Sequence, residues 1–377
     1  MKRSYLYKLN SVAITLLFCI SIYTSFILGF FEKYEDISAN ENRSLATLPS
    51  LSLTKDGINK FPKLVEEYYS DRFGLRDWFV KCYNLVKYNL GDSPSDDVTL
   101  GKDGWLFLGS IKNGYSNYSD PIGDARNINL FSDDELKKFA KYMTSINAWL
   151  SDRGIIFVFV IAPDKHTIYF EKLPVYISKV NKYSATDQVI DYLHRHTNVP
   201  VVDLRAKLIE SKNKYQLYYK TDTHWNHSGA NIAQYEIMRE IKRFFPKSIK
   251  PQLFELKNGY SEDGDLARLI GVSGFKEYNP LPIFKNTCQP SKYPKNATYR
   301  EPYSYSCKGQ QINVLVYRDS FFEALIPYFA RKFRHSTYVW EKPTLSSLKK
   351  YVDSEHPDIV IEEWAERDFP YVLKFQP

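Results

Sequence analysis

The chain has 377 residues, 44% hydrophobic and 25% charged, the balance of a globular protein, which excludes a mainly disordered, collagen-like or polytopic membrane chain. Four cysteines are too few for a disulfide-stapled miniprotein. The formal charge of +7 is mild, and three of its positives (Lys2, Arg3 and Lys8) precede the first apolar run, which speaks against a nucleic-acid partner.

That apolar run, residues 12–31 (VAITLLFCISIYTSFILGFF), carries no charge. As a helix it spans roughly 30 Å, one bilayer core. The basic residues before it favour a cytoplasmic N-terminus. No Ala-x-Ala cleavage signal precedes Glu32, so the expectation is an uncleaved single-pass anchor over residues 1–31. The rest of the chain then lies outside the cell membrane. Residues 32–60 read as a linker, and residues 61–377 as the external domain.

Within that domain, residues 61–89 have helical spacing in two pieces with Gly74 near the break. GKDGWLFL (101–108) reads as a turn into a short strand. Residues 132–153 form a helix that opens on a Ser132/Glu135 capping box. IIFVFVIAP (155–163) is continuously apolar, as a strand covered on both faces must be. Helix 186–196, strand 199–204 and helix 226–245 follow. Residues 251–311 are irregular, with short strands. The series ends with strand 312–317, helix 321–333, strand 335–340, helix 345–354 and strand 358–364. Strands alternating with helices predict a three-layer α/β domain with a mostly parallel sheet.

Cys288 and Cys307 bracket a Pro/Tyr/Lys-rich loop. Outside the cytoplasm they are candidates for a bridge, the alternative being two free thiols. No C-x-x-C occurs, which excludes a zinc ribbon or thioredoxin-like site.

Open α/β sheets bind ligands at the carboxyl ends of their strands, so the residues after each strand are the candidates for chemistry. After strand 312–317 comes Arg318-Asp319-Ser320, where a helix begins at a serine. Such a junction exposes a hydroxyl and aims free N–H groups at it. The competing reading is a capping box formed by Ser320 and Glu323. In Asp222-Thr223-His224-Trp225, an extended backbone would place Asp222 and His224 on one face, carboxylate supporting imidazole. The alternatives are a helix cap at Asp222, or a metal site of Asp222, His224 and His227. After strand 155–163, Lys165 is a candidate to bind a carboxylate or an oxyanion, against a structural pairing with Asp164.

Together these segments resemble the alginate O-acetyltransferase-like (DHHW) branch of the SGNH hydrolase superfamily. The matching pieces are the 101–107 turn, Pro163-Asp-Lys165 with Tyr169, Asp222-Thr-His224-Trp225 with Gly229-Ala230, and Gly264-Asp-Leu-Ala267. They continue with Arg318-Asp-Ser320-Phe321 and Pro357-Asp-Ile-Val-Ile-Glu-Glu363 with Glu366-Arg367. The resemblance implies a flavodoxin-like SGNH fold, with Ser320 as nucleophile, His224 as general base and Asp222 as its orienting partner. Arg318 stands where the superfamily has glycine, and with Lys165, Tyr169 and Trp225 it is a candidate for oxyanion or substrate binding. The resemblance further implies acetyl transfer to an exported or cell-surface polysaccharide, without a cofactor. It also implies a membrane-bound O-acyltransferase partner that supplies acetyl groups. Trp225, Trp340 and Trp364 are candidate sugar-stacking rings, or core residues. The rival functions are a carbohydrate acetylesterase, a non-catalytic glycan-binding scaffold and a metal-dependent hydrolase.

Overall fold

A computed structural model describes residues 2–29, 37–38, 43–109, 120–285 and 287–369. The chain divides into two compact units, residues 1–95 with 268–273, and residues 96–267 with 274–377.

The first unit is helical: α1 (Lys2–Gly29), α2 (Lys55–Arg72) and α3 (Arg76–Asn89). Among the described residues no helix is long and apolar enough to cross a membrane. The expected span over 12–31 falls partly outside the described residues, as does the expected linker. The predicted helical stretch 61–89 begins earlier, because Thr54 caps α2 by accepting the Gly57 N–H. Pro62 is tolerated inside that helix. The break falls at Phe73–Leu75, where Leu75 has a positive φ of 66°.

The second unit is built on a seven-stranded sheet. Its strands in chain order are β1 (Ile156–Ala162), β2 (Val201–Asp203), β3 (Ser291–Tyr293), β4 (Tyr303–Ser306), β5 (Asn313–Tyr317), β6 (His335–Val339) and β7 (Ile359–Ala365). Their order across the sheet is β3-β4-β6-β5-β7-β1-β2. The four pairings from β6 to β2 are parallel. The two that add β4 and β3 are antiparallel. The sheet is therefore mixed, and its antiparallel edge comes from the stretch that reads as irregular in sequence.

Alternation along the apolar strands feeds two cores. Val158, Val160, Val316 and Ile361 pack on one face, beneath α6 (His227–Phe244) with Ile237 and Ile241. Phe157, Phe159, Leu315 and Val360 pack on the other. There they meet α4 (Asp133–Ser151), α5 (Ala185–His196) and α7 (Leu345–Glu355). The Ser132/Glu135 capping box is present, with both reciprocal hydrogen bonds. Cys288 and Cys307 form a disulfide.

The helix expected over 321–333 is instead a 3-10 turn (Phe321–Ala324) followed by a short α-helix (Ile326–Phe329). Pro327 has no N–H to continue a longer ladder, and it sits in the first turn of the second piece, where prolines are accepted.

Candidate functional site

Two segments meet above the carboxyl ends of the central strands. The first is the tight loop before α6. It is closed by a bridge between Tyr218 and Trp225 and by the Asn226 N–H donating to Leu217 O at 2.9 Å. Residues 221–224 bend rather than extend, yet Asp222 still meets His224. The Asp222 carboxylate accepts the His224 backbone N–H at 2.9 Å, the local turn that aspartate favours.

The same oxygen, Oδ1, lies 2.7 Å from His224 Nδ1. A carboxylate only accepts, so Nδ1 carries the ring proton and Nε2 offers its lone pair. His224 Nε2 lies 2.7 Å from Ser320 Oγ, which reaches it from the turn after β5. Ser320 does not cap the following turn with its side chain, so its hydroxyl belongs to the imidazole. Burial pushes the Asp222 carboxyl up, but the hydrogen bonds and charge of His224 outweigh it and hold the group well below the usual carboxylate range.

Further groups fix this loop. Asp265 accepts the Thr223 N–H at 2.8 Å and the Thr223 hydroxyl at 2.6 Å, and its own N–H donates to Asp222 Oδ2 at 3.0 Å. Its carboxylate lies 3.8 Å from His224 Nδ1. The Thr221 carbonyl accepts from Leu266 and Ala267. Gly264 permits this close approach, since a Cβ there would meet Thr221 O and, at 2.5 Å, Asp222 Cβ. Buried Glu277 accepts the N–H groups of Lys220 and Thr221. Asp265 was visible in sequence only through the Gly264-Asp resemblance. Glu277 carried no signal, because its partners are backbone groups more than fifty residues away.

Four sequence candidates have other roles. Lys165 is buried beneath the loop, and its ammonium donates to the carbonyls of Tyr219, Lys220 and Asp222 at 3.3, 3.1 and 2.7 Å. Burial pulls it down to about 7 against the attraction of Asp265, Asp222 and Glu277. It therefore clamps the loop and has no donor left for a substrate. Tyr169 stacks on Trp105 at 4.2 Å and accepts the Leu217 N–H at 3.0 Å, with burial pushing its hydroxyl up to about 12. Trp225 is buried, not a sugar platform. Its indole N–H donates to Phe321 O at 2.9 Å, which ties the histidine loop to the serine turn. The Arg318 guanidinium is buried against Glu323 at 2.7 Å, donates to Tyr299 O at 2.6 Å and lies over Trp340 at 4.9 Å, so its charge is spent away from the hydroxyl. Trp364 is a core ring packed on Phe139 and Phe159.

The cation reading takes a different set of ligands. Among the described residues Asp222, His224 and Asp265 offer atoms within 4.8 Å of one another, whereas His227 packs on Tyr328. Arg367 sits beside the triad, over the Phe321 ring at 5.0 Å and paired with Asp164 at 2.9 Å. A cavity of about 360 Å³ opens past Asp164 and Glu366, lined also by His166, Thr186 and Arg205; none of the three triad residues lines it. Within it Glu366 accepts from the Asp164 N–H and the Thr167 and Thr186 hydroxyls.

An SGNH hydrolase-like domain family, described for the acetyltransferase AlgX, matches residues 98–301, a stretch that holds Asp222 and His224 and ends before Ser320. The "Probable alginate O-acetylase AlgJ" of Pseudomonas putida is 25% identical over 239 residues, covering 61% of this chain and 57% of that protein. The protein of the same name from Pseudomonas aeruginosa is 24% identical over 248 residues, covering 63% and 59%. The chain thus spans a little over half the length of these curated relatives. Among solved structures, Bacillus cereus PatB1 superposes with a TM-score of 0.50 at 17% identity, over 71% of this chain and 95% of that one. With more than half of its length matched, the chain belongs to the SGNH hydrolase-like family of the AlgX acetyltransferase type.

Proposed function

We propose that the chain is a membrane-anchored, extracytoplasmic O-acetyltransferase that moves acetyl groups onto hydroxyls of an exported or cell-surface polysaccharide. The observation that carries this reading is the unbroken hydrogen-bond chain Ser320–His224–Asp222, with both side-chain links at 2.7 Å. The names of the AlgJ relatives support acetyl as the group and a polysaccharide as the acceptor.

In this mechanism Ser320 Oγ attacks the acetyl carbonyl while His224 Nε2 takes the hydroxyl proton. The imidazolium is held by Asp222 and gives its proton to the departing donor oxygen. A sugar hydroxyl then loses its proton to His224 and attacks the acetyl-serine; the sugar ester leaves as the imidazolium returns that proton to Oγ, which regenerates Ser320. The backbone N–H of Ser320 is the donor assigned here to the developing oxyanion. The uncharged run 12–31 supports the anchor. A membrane-bound O-acyltransferase partner fits an external enzyme that lacks access to cytosolic acetyl donors.

The test uses the full chain in detergent with a chromogenic acetyl ester, a sulfonyl fluoride and oligouronate acceptors. The expected result is a sulfonyl adduct on Ser320, no turnover by Ser320→Ala, and a rate loss of about 10²–10⁴-fold for His224→Ala at unchanged melting temperature. Retained turnover by Ser320→Ala would remove the serine mechanism. Acetyl transfer to water in preference to the oligosaccharide would make the protein an esterase.

A further inference from the structure

The segment 357–363 was singled out in sequence, yet the triad makes no direct use of it. Its last residue, Glu363, lies on β7 and is fully buried. Side chains alternate along a strand, so Glu362 and Glu363 face opposite sides of the sheet. Glu363 Oε2 accepts the backbone N–H of Asp319 at 3.2 Å. Asp319 is the residue before Ser320, and its own carboxylate bridges the serine turn to the end of β7. Oδ1 accepts the Phe321 N–H at 2.8 Å and Oδ2 the Ala365 N–H at 2.7 Å.

The two acidic side chains face each other beneath the serine turn, Glu363 fully buried and Asp319 half-buried. Burial and the neighbouring carboxylate both disfavour the charged form of Glu363. Asp319 receives two short backbone N–H bonds. Glu363 receives one long bond, and its second oxygen, Oε1, accepts no hydrogen bond from any donor among the described residues. That oxygen is the natural place for the proton. The charged groups facing Glu363 are Asp319, from the turn after β5, and Lys342, from the segment after β6. Lys342 is also engaged by Asp368 at 3.5 Å.

We propose that Glu363 is a positioning residue, a neutral carboxylic acid whose O–H donates to Asp319 and locks the turn that presents Ser320. The proposal rests on the reading of Ser320 as nucleophile. Burial, and after it the charge on Asp319, push Glu363 well above the usual carboxyl range, in keeping with this role. An ionised Glu363 would repel Asp319 and displace the turn, and a displacement of about 1 Å at a catalytic group can cost about 10²-fold in rate.

The test compares Glu363→Gln with Glu363→Leu in the full chain. Glutamine reproduces the neutral acid: its carbonyl accepts the Asp319 N–H and its amide N–H donates to the Asp319 carboxylate. Leucine has similar size and neither function. Glu363→Gln is expected to keep ester kcat/KM within about threefold, and Glu363→Leu to lose about 10²-fold, mainly in kcat. At neutral pH, infrared difference spectra should show a protonated-carboxyl C=O band in the parent that Glu363→Gln lacks. A Gln variant as impaired as the Leu variant, or no missing band, overturns the proposal. Should Glu363→Leu not fold, the Gln kinetics and the infrared band still decide. Ser320→Ala, assayed alongside, reports failure of the nucleophile reading separately, because the band does not depend on which group attacks.

Discussion

Asp265→Asn tests whether His224, the proposed general base, works between two carboxylates rather than beside one. While Nε2 offers its lone pair to Ser320, His224 gains little from Asp265. In the proposed mechanism Ser320 gives up its proton and an imidazolium forms 3.8 Å from the Asp265 carboxylate. Two unit charges at that separation attract by about 4 kcal/mol at an effective dielectric constant of 20. The Asp265 side chain is 32% exposed, and solvent and salt screening reduce the useful part to about 1–2 kcal/mol. Because this attraction arises only in the transition state, its loss should appear in kcat/KM as a factor of about 5–30. Asparagine keeps an oxygen for the Thr223 N–H, and the backbone N–H to Asp222 is untouched, so the loop should hold its shape. The assay is ester turnover at two salt concentrations, with thermal melting in parallel. Unchanged kcat/KM would refute the two-carboxylate reasoning. A loss matched by a collapsed melting temperature would assign Asp265 to folding alone.

Glu362→Gln should raise the melting temperature more at pH 8 than at pH 5. Burial lifts Glu362 from 4.5 to about 8, so the folded state holds a proton that the unfolded chain releases above about 4.5, and stability falls as pH rises through that window; an equal gain at both pH values would contradict this. Gly264→Ala should lower activity and stability together, since the added methyl meets Thr221 O and Asp222 Cβ, and a variant with parental kcat/KM would show that the loop has room. Replacing Cys288 and Cys307 by serine should destabilise the fold by about 3 kcal/mol for a closed loop of this size and leave ester kcat/KM near the parental value, because neither cysteine touches the triad; undiminished denaturant stability would argue against the bridge.

Much of the fold is legible because burial on both sides of a sheet forces unbroken apolar runs, as in 155–163 and 312–317. The antiparallel edge is hidden because β3 and β4 are short, Tyr- and Ser-rich strands whose pairing is decided by β6 rather than by their own pattern. The broken helix after Ser320 shows the same limit on a smaller scale: the apolar spacing of 321–333 is real, but Pro327 and the packing of Phe321 on Trp225 divide it. At the site, Ser320, His224 and Asp222 stand out because their chemistry is written in the side-chain types. Lys165, Tyr169, Trp225 and Arg318 stand out for the same reason, and all four turn inward.

That inward turn has a common cause. A serine triad needs its imidazole held within tenths of an ångström, and the loop that carries it has almost no regular secondary structure to hold it. Side chains must replace the missing backbone ladder. Lys165 takes three loop carbonyls and Glu277 takes two loop N–H groups. Asp265 takes Thr223, and Trp225 ties the loop to Phe321. Lys165 and Trp225 among them are of the type that sequence reading assigns to substrate. A charged residue just after a buried strand therefore marks the neighbourhood of the chemistry more reliably than it marks the chemistry itself. Whether it faces the substrate depends on how many backbone groups nearby lack a partner, and in this loop their number absorbs every donor that Lys165 has.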